Sequence, residues 1–148
     1  MVKTTLHLAS DHAALDLKNK VKNYLEAAGY TIHDHGASNP SSVDYPDYAE
    51  KVARALALNP THLGILICGT GIGMSIAANK FKGIRAALVH DEFTAKASRQ
   101  HNNANIICLG ARVLNHDRAL DLIEIWLAHQ FEGGRHQKRL DLIAAFEK

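Results

Sequence analysis

The hydrophobic period of this chain changes repeatedly along its length, and that alternation limits the folds open to it. β-compatible runs at residues 4–9, 30–34, 63–68, 84–90 and 105–109 alternate with stretches whose apolar residues recur at helical spacing, at 13–28, 45–58, 74–79, 91–101 and 115–129, followed by a last helix at 135–146. In the first helical stretch the apolar positions are Ala14, Leu17, Val21, Leu25 and Ala28, and Gly29 follows as a C-cap. Asp44 and Pro46 mark the start of the second, as N-cap and first-turn residues. Residues 36–42 form a loop by composition. The run Leu63-Gly64-Ile65-Leu66-Ile67-Cys68 is apolar without alternation, which suits a parallel strand covered on both faces. Strand–helix alternation over the whole length gives βαβ units, an α/β class and a parallel sheet. With 148 residues, no repeat and no linker, residues 1–148 are read as one domain.

Composition removes several function classes. Seventeen Lys and Arg against fifteen Asp and Glu leave a formal charge of +2, too little for a protein built mainly to grip nucleic acid. No apolar run approaches the ~18–20 residues of a membrane span. Two cysteines, Cys68 and Cys108, cannot make a disulfide framework, and no signal peptide precedes the first strand. A reduced, cytoplasmic protein is expected.

In open parallel sheets, ligands bind beyond the carboxyl ends of the strands. Asp11 and His12 fall there after the first strand, Cys68 to Gly73 after the third, and Gly110-Ala111-Arg112 after the fifth. These segments are expected to converge on one cleft. The loop Gly69-Thr70-Gly71-Ile72-Gly73 lets backbone amides approach an anion closely, or else is only a tight strand–helix turn. It lacks the Lys-Ser/Thr of a P-loop and the spacing of a dinucleotide fingerprint. Cys68, at the mouth of this loop, is a candidate thiolate and general base, or else a small packed residue. Cys108, inside a strand, reads as packing. His101 is a candidate acid–base group at neutral pH or a helix cap. Arg135 and Arg139, four apart on one helical face, suit a phosphate or form a solvated charged face. His33 and His35 share a face without Asp34, and no further ligand completes a set, so no metal is assigned. His7, His62, His90, His116 and His129 have no distinctive sequence context.

Several segments match one family in order: Ser10-Asp11-His12, Asp44-Tyr45-Pro46-Asp47-Tyr48-Ala49, the stretch from Ile67-Cys68-Gly69-Thr70-Gly71 to Ala77-Ala78-Asn79-Lys80, Ile84-Arg85-Ala86, Ser98-Arg99-Gln100-His101-Asn102, Gly110-Ala111-Arg112-Val113 and Glu132-Gly133-Gly134-Arg135-His136. Over essentially its whole length the chain resembles the type B ribose-5-phosphate isomerases, whose family also holds galactose-6-phosphate isomerase subunits. The resemblance implies a Rossmann-like three-layer α/β/α fold with a five-stranded parallel sheet, and a homodimer or dimer of dimers with its sites at the subunit interface. It implies aldose–ketose interconversion of a small sugar phosphate through an enediolate, with no metal or organic cofactor and no nucleic-acid or membrane partner. One branch of the family uses a glutamate base; here Ser75 takes that place and Cys68 is present, so the chain resembles the cysteine-base branch.

The implied roles are specific. Cys68 moves the proton between C1 and C2, and Thr70 passes one between the two oxygens. Asp11 positions the reacting hydroxyls, and backbone amides of Gly69, Gly71 and Gly73 hold the enediolate. His101, from a second subunit, opens the ring. His12, Arg112, Arg135 and Arg139 hold the phosphate, and Tyr45 and Asn102 contact the sugar. The helix at 135–146 is expected at the subunit interface. Competing readings are a hexose-6-phosphate or free rare-sugar isomerase, a non-catalytic phosphate-binding module and a thiol redox protein, the last weakened by the lack of a Cys-x-x-Cys pair.

Overall fold

A computed structural model describes residues 3–39 and 41–147. Met1, Val2, Pro40 and Lys148, which the sequence reading includes in its domain and, for Pro40, in its loop, lie outside the described residues. The chain runs β1 (Leu6–Ser10), a short 3-10 helix (His12–Ala14), α1 (Leu15–Ala27), β2 (Ile32–Asp34), α2 (Tyr45–Leu58), β3 (Leu63–Cys68), α3 (Ile72–Ala78), β4 (Ala86–Leu88), α4 (Glu92–Gln100), β5 (Ile106–Gly110), α5 (His116–Leu127) and α6 (Arg135–Ala144). The five strands form one parallel sheet in the order β2-β1-β3-β5-β4. Helices cover both faces, which makes the expected Rossmann-like three-layer α/β/α architecture.

The continuous apolar run of β3 serves both layers. Ile65 and Ile67 point to a core shared with Leu17, Val21 and Leu25 of α1 and Leu122, Ile123 and Trp126 of α5. Leu66 and Cys68 point the other way, to Val52 and Leu56 of α2 and Met74 and Ala78 of α3. Each large side chain fully buried in this way stabilises the fold by about 1.5–3 kcal/mol. Gly64 lets α2 come close: a Cβ there would lie 2.7 Å from Val52 Cγ1. By contrast α6 buries only Leu140 among the described residues.

The structure shifts several element boundaries. The expected strand at 84–90 shrinks to Ala86–Leu88, because β4 is an edge strand with β5 as its one ladder partner among the described residues. The helix expected from Met74 begins at Ile72, since Gly71 at φ +80° turns the chain directly into it. The first helical stretch opens as a 3-10 turn because the Asp11 carboxylate accepts the amides of Ala13 and Ala14. Asp44 occupies the N-cap of α2 without a side-chain cap bond; its carbonyl instead accepts the Asp47 amide. The last helix ends at Ala144, two residues short of the expected 146. Among the described residues, no helix is long and apolar enough to cross a membrane.

Candidate active site

The strands β1, β3 and β5 lie side by side at the centre of the sheet, so the segments that follow them share one edge. β1 connects outward to β2 on one side, whereas β3 connects to β4 on the other, and this reversal opens a crevice at the carboxyl ends. Asp11 is tied to β3, its amide donating to the Ile67 carbonyl at 3.2 Å, and its carboxylate is almost buried. His12 Nδ1 accepts the Val43 amide at 3.2 Å. Cys68, only 5% exposed, accepts the Gly71 amide on its Sγ at 3.1 Å. The sulfur is therefore held as a hydrogen-bond acceptor, the role required of a group that takes a proton.

Steric exclusion shapes the loop around this thiol. A Cβ at Gly110 would fall 2.6 Å from the Thr70 carbonyl oxygen, so the end of β5 presses directly on the loop backbone. Gly71 needs its left-handed φ, and a Cβ there would also meet Leu88 Cδ1 at 2.7 Å. The Tyr45 ring lies on Gly73, where a Cβ would come within 2.5 Å of Cζ. Arg112 lies alongside Gly69: its amide donates to the Gly69 carbonyl at 2.9 Å and its Nη1 is 3.4 Å from where a Gly69 Cβ would sit. Two loop amides are already engaged, that of Gly71 with sulfur and that of Ile72 with Thr70 Oγ1 at 3.2 Å. The Gly71 amide, expected to face an enediolate, has Cys68 Sγ as its acceptor in this chain. Gly69, Thr70 and Gly73 keep their amides free of partners among the described residues.

The remaining expected site residues lie at the opposite edge of the sheet. α4 runs back from the carboxyl end of β4, so His101 and Asn102 sit at the amino edge. Asn105, just beyond, accepts the Gly64 amide at 2.8 Å at the entrance to β3. The Glu132 amide donates to the Gln100 carbonyl at 3.0 Å, which brings 132–136 and the start of α6 to His101. The rings of His101 and His136 stack with centroids 4.4 Å apart and planes at 15°. Glu132 Oε1 lies 3.9 Å from Nε2 of each. Desolvation first, then the Arg135 and His101 charges, hold His136 below its ordinary pKa. Arg135 and Arg139 extend this cluster along α6. A hollow of about 260 Å³ between α6 and the β4 edge is lined by Asn102 along with Asn79, Arg85 and Leu140. Within one chain, then, Cys68, Asp11, His12, Thr70, Tyr45 and Arg112 are gathered together, and His101, Asn102, Arg135 and Arg139 are gathered elsewhere.

Sequence reasoning missed two groupings. His7, His33, His35 and His62 assemble on the α2 side of the sheet. His7 Nδ1 lies 2.9 Å from His35 Nε2, and His7 Nε2 lies 2.9 Å from His62 Nδ1. His33 packs against His7 at 5.0 Å between centroids. Burial first, then the neighbouring imidazoles, lower the His7 pKa to about 4. The second grouping is His101, Glu132 and His136, whose ligand atoms all lie within 4.8 Å of one another. No sequence signal marked it, because Glu132 lies in the loop before α6, where helical spacing does not apply. Cys108 is fully buried and burial pushes its thiol pKa up, in keeping with a packing role.

Comparison with known proteins agrees over nearly the full length. A family model described as Ribose/Galactose Isomerase matches residues 6–143. Ribose-5-phosphate isomerase B of Escherichia coli is 44% identical over 138 residues, covering 93% of each chain. The structure of Clostridium thermocellum ribose-5-phosphate isomerase B superposes with a TM-score of 0.95 at 45% identity, covering 97% of each chain. That of Mycoplasma genitalium ribose-5-phosphate isomerase B with bound ribulose 5-phosphate gives 0.95 at 42% identity, covering 99% of this chain and 98% of the other.

Proposed function

The chain belongs to the ribose/galactose isomerase family, and from that premise we propose that it interconverts ribose 5-phosphate and ribulose 5-phosphate with Cys68 as the general base. The observation that carries this reading is the Cys68 sulfur, held as an acceptor by the Gly71 amide at the mouth of the glycine loop, with Arg112 against the same loop. In the aldose-to-ketose direction Cys68 takes the proton from C2, and the C–H electron pair becomes the C1–C2 double bond of the enediolate. The C1 carbonyl π pair moves to O1, the proton on O2 passes to O1 through the Thr70 hydroxyl as C2–O2 becomes the carbonyl, and Cys68 returns its proton to C1. Free amides of Gly69, Thr70 and Gly73 stabilise the oxyanion as charge develops. Asp11, rigidly tied to the end of β3, orients the hydroxyls. The cycle calls for no metal or organic cofactor.

Ring opening and phosphate binding need the other edge of a second copy. We assign His101 of that copy to ring opening, Asn102 to a sugar contact, and Arg135 and Arg139 to the phosphate alongside His12 and Arg112, with Tyr45 against the sugar. Support for a homodimer, or a dimer of dimers, comes from the two-part distribution of these residues. It comes also from apolar side chains left exposed on α3 (Ile72, Ile76) and α6 (Leu142, Ile143) and at Phe146. The whole chain acts as one cytoplasmic sugar-phosphate isomerase domain, with residues 135–146 at the interface.

Two measurements test this. Ribose 5-phosphate carrying deuterium at C2 is expected to lose label to solvent as it turns over, and Cys68→Ala is expected to lower kcat by roughly 10²–10⁴-fold while sugar-phosphate binding persists. Near-normal turnover by Cys68→Ala overturns the base assignment, and full retention of the label overturns proton transfer altogether. Rates with allose 6-phosphate, galactose 6-phosphate and the free sugars separate the substrate assignment from the reaction type. A faster hexose phosphate rejects ribose 5-phosphate as the substrate.

A further inference from the structure

We propose that Arg85 and Arg99 are positioning residues for ring opening, clamping the turn that carries His101; this rests on the isomerase reading and on the ring-opening role of His101. The turn spans residues 101–105 between α4 and β5, and within it Asn103 takes a left-handed φ of +46°. Asn tolerates that region better than most residues, but such a step needs support from its neighbours. Two guanidinium groups supply it. Arg85 Nε donates to the Asn103 carbonyl at 2.7 Å, and Arg99 Nη1 donates to the Ala104 carbonyl at 2.5 Å. The β5 strand begins only at Ile106, so these two consecutive carbonyls are held by side-chain donors just short of the ladder.

Both arginines are themselves well anchored. The Arg85 amide donates to Asn105 Oδ1 at 2.8 Å, and its carbonyl accepts the Asn105 amide at 3.0 Å. Arg99 Nε donates to the His129 carbonyl beyond the end of α5 at 3.3 Å, and its guanidinium lies over the Trp126 ring, 5.4 Å from the centroid. Ion pairing does not explain the pair. Both are half-buried, and neither has a carboxylate oxygen within 4.0 Å among the described residues. Burial opposes the charge of each. An unpaired guanidinium out of water is costly unless its donors find acceptors, and here the acceptors are the carbonyls of the turn.

The clamp acts at one edge of the sheet only. Neither arginine bonds to His101 itself, so both act through the turn. The hollow of about 260 Å³ borders Arg85, Asn102 and Ala104, which leaves the turn room to shift once a guanidinium contact is lost. His101 precedes the Asn103 carbonyl by two residues, so such a shift displaces its imidazole and the ring it stacks on. Cys68 and the glycine loop, at the carboxyl edge, stay in place.

The two sugars separate this role from a general loss of structure. Ribose 5-phosphate is a closed furanose in water and must open before C2 can lose its proton. Ribulose 5-phosphate carries its phosphate on the C5 oxygen that a five-membered ring would need, so it enters the cycle already open. Initial rates of the full-length protein are measured from each sugar. Arg85→Met is expected to lower kcat from ribose 5-phosphate by roughly 10–100-fold, as for a displaced reacting group, and to leave kcat from ribulose 5-phosphate nearly unchanged. A weaker Asn102 contact acts on both sugars and cancels in the ratio. Arg85→Lys keeps a donor for the Asn103 carbonyl and is expected to recover most of the loss. Should Arg85→Met not fold, Arg99→Lys reads the same ratio, because a lysine reaches the Ala104 or the His129 carbonyl but not both. His101→Asn sets the reference and is expected to show the same asymmetry. If His101→Asn slows both sugars alike, the ring-opening assignment fails and the proposal with it. If His101→Asn is selective while the folded arginine variant slows both sugars alike, or neither, the clamp alone is overturned. Absence of turnover from either sugar by the unaltered chain rejects the isomerase reading instead.

Discussion

Much of the carboxyl-edge geometry depends on single atoms, and Gly110 is the clearest case. No flexible side chain lies in the path of a Cβ at that position; the nearest atoms are the Thr70 carbonyl oxygen at 2.6 Å and carbon at 2.7 Å. Gly110→Ala therefore has to displace the loop that carries Cys68 and Thr70. Overpacking of this kind costs about 1–3 kcal/mol, which a folded domain of this size can absorb. Positioning errors of about 1 Å at reacting groups cost on the order of 100-fold in rate. The expected outcome is a variant that stays folded by circular dichroism and loses about two orders of magnitude in kcat. At this scale the sequence was most informative where a residue type and a strand end coincided. Cys68 separated from Cys108, and Asp11 and Arg112 fell at the carboxyl edge, because position along a strand decides both. It was silent about the stacking of His136 on His101, which depends on how the loop before α6 returns to the end of α4.

Elements were legible where their burial was uniform. β3 and α2 have the expected bounds, because a strand covered on both faces and a helix with one apolar stripe leave strong periodic signals. β4 was overread: Ile84 and Val89 at its flanks are apolar for packing, while only Ala86–Leu88 find a ladder partner. Strand register was illegible, and the row of histidines is its direct product. Parallel pairing sets His7 beside His33 and, on the other side, beside Gly64, and His35 and His62 reach the two ring nitrogens of His7. This row makes stability depend on pH with a definite sign. Unfolded, His7 takes a proton near 6.5; folded, it resists until about 4. The unfolded chain thus binds more protons between those values, so stability is intact above pH 6.5 and is lost as pH falls toward 4. A decline of about 1–3 kcal/mol across that window is expected from this group, given 1.36 kcal/mol per pKa unit and partial hydration of its neighbours. Urea unfolding at pH 7 and pH 4.5 checks it: His7→Asn is expected to show a flatter pH dependence than the unaltered chain, and an equal slope would exclude His7 as the cause.

For the molecule as a whole, the decisive fact is that the expected site residues occupy two opposite edges of one sheet. The thiol, the glycine loop, Asp11 and Arg112 lie at the carboxyl edge, while His101, Arg135 and Arg139 lie where α4 ends and α6 begins. A two-fold dimer lets each chain lend its second edge to the other's first. The most direct measurement is complementation. Cys68→Ala and Arg135→Ala are each expected to be nearly inactive, and the two chains are co-expressed or refolded together. In a random mixture about half of the dimers are mixed, and each mixed dimer holds one site with neither substitution, so roughly a quarter of full activity is expected to return. Failure to recover activity, with mixed dimers verified by mass, would contradict the shared site, because both substitutions would then act within a single chain.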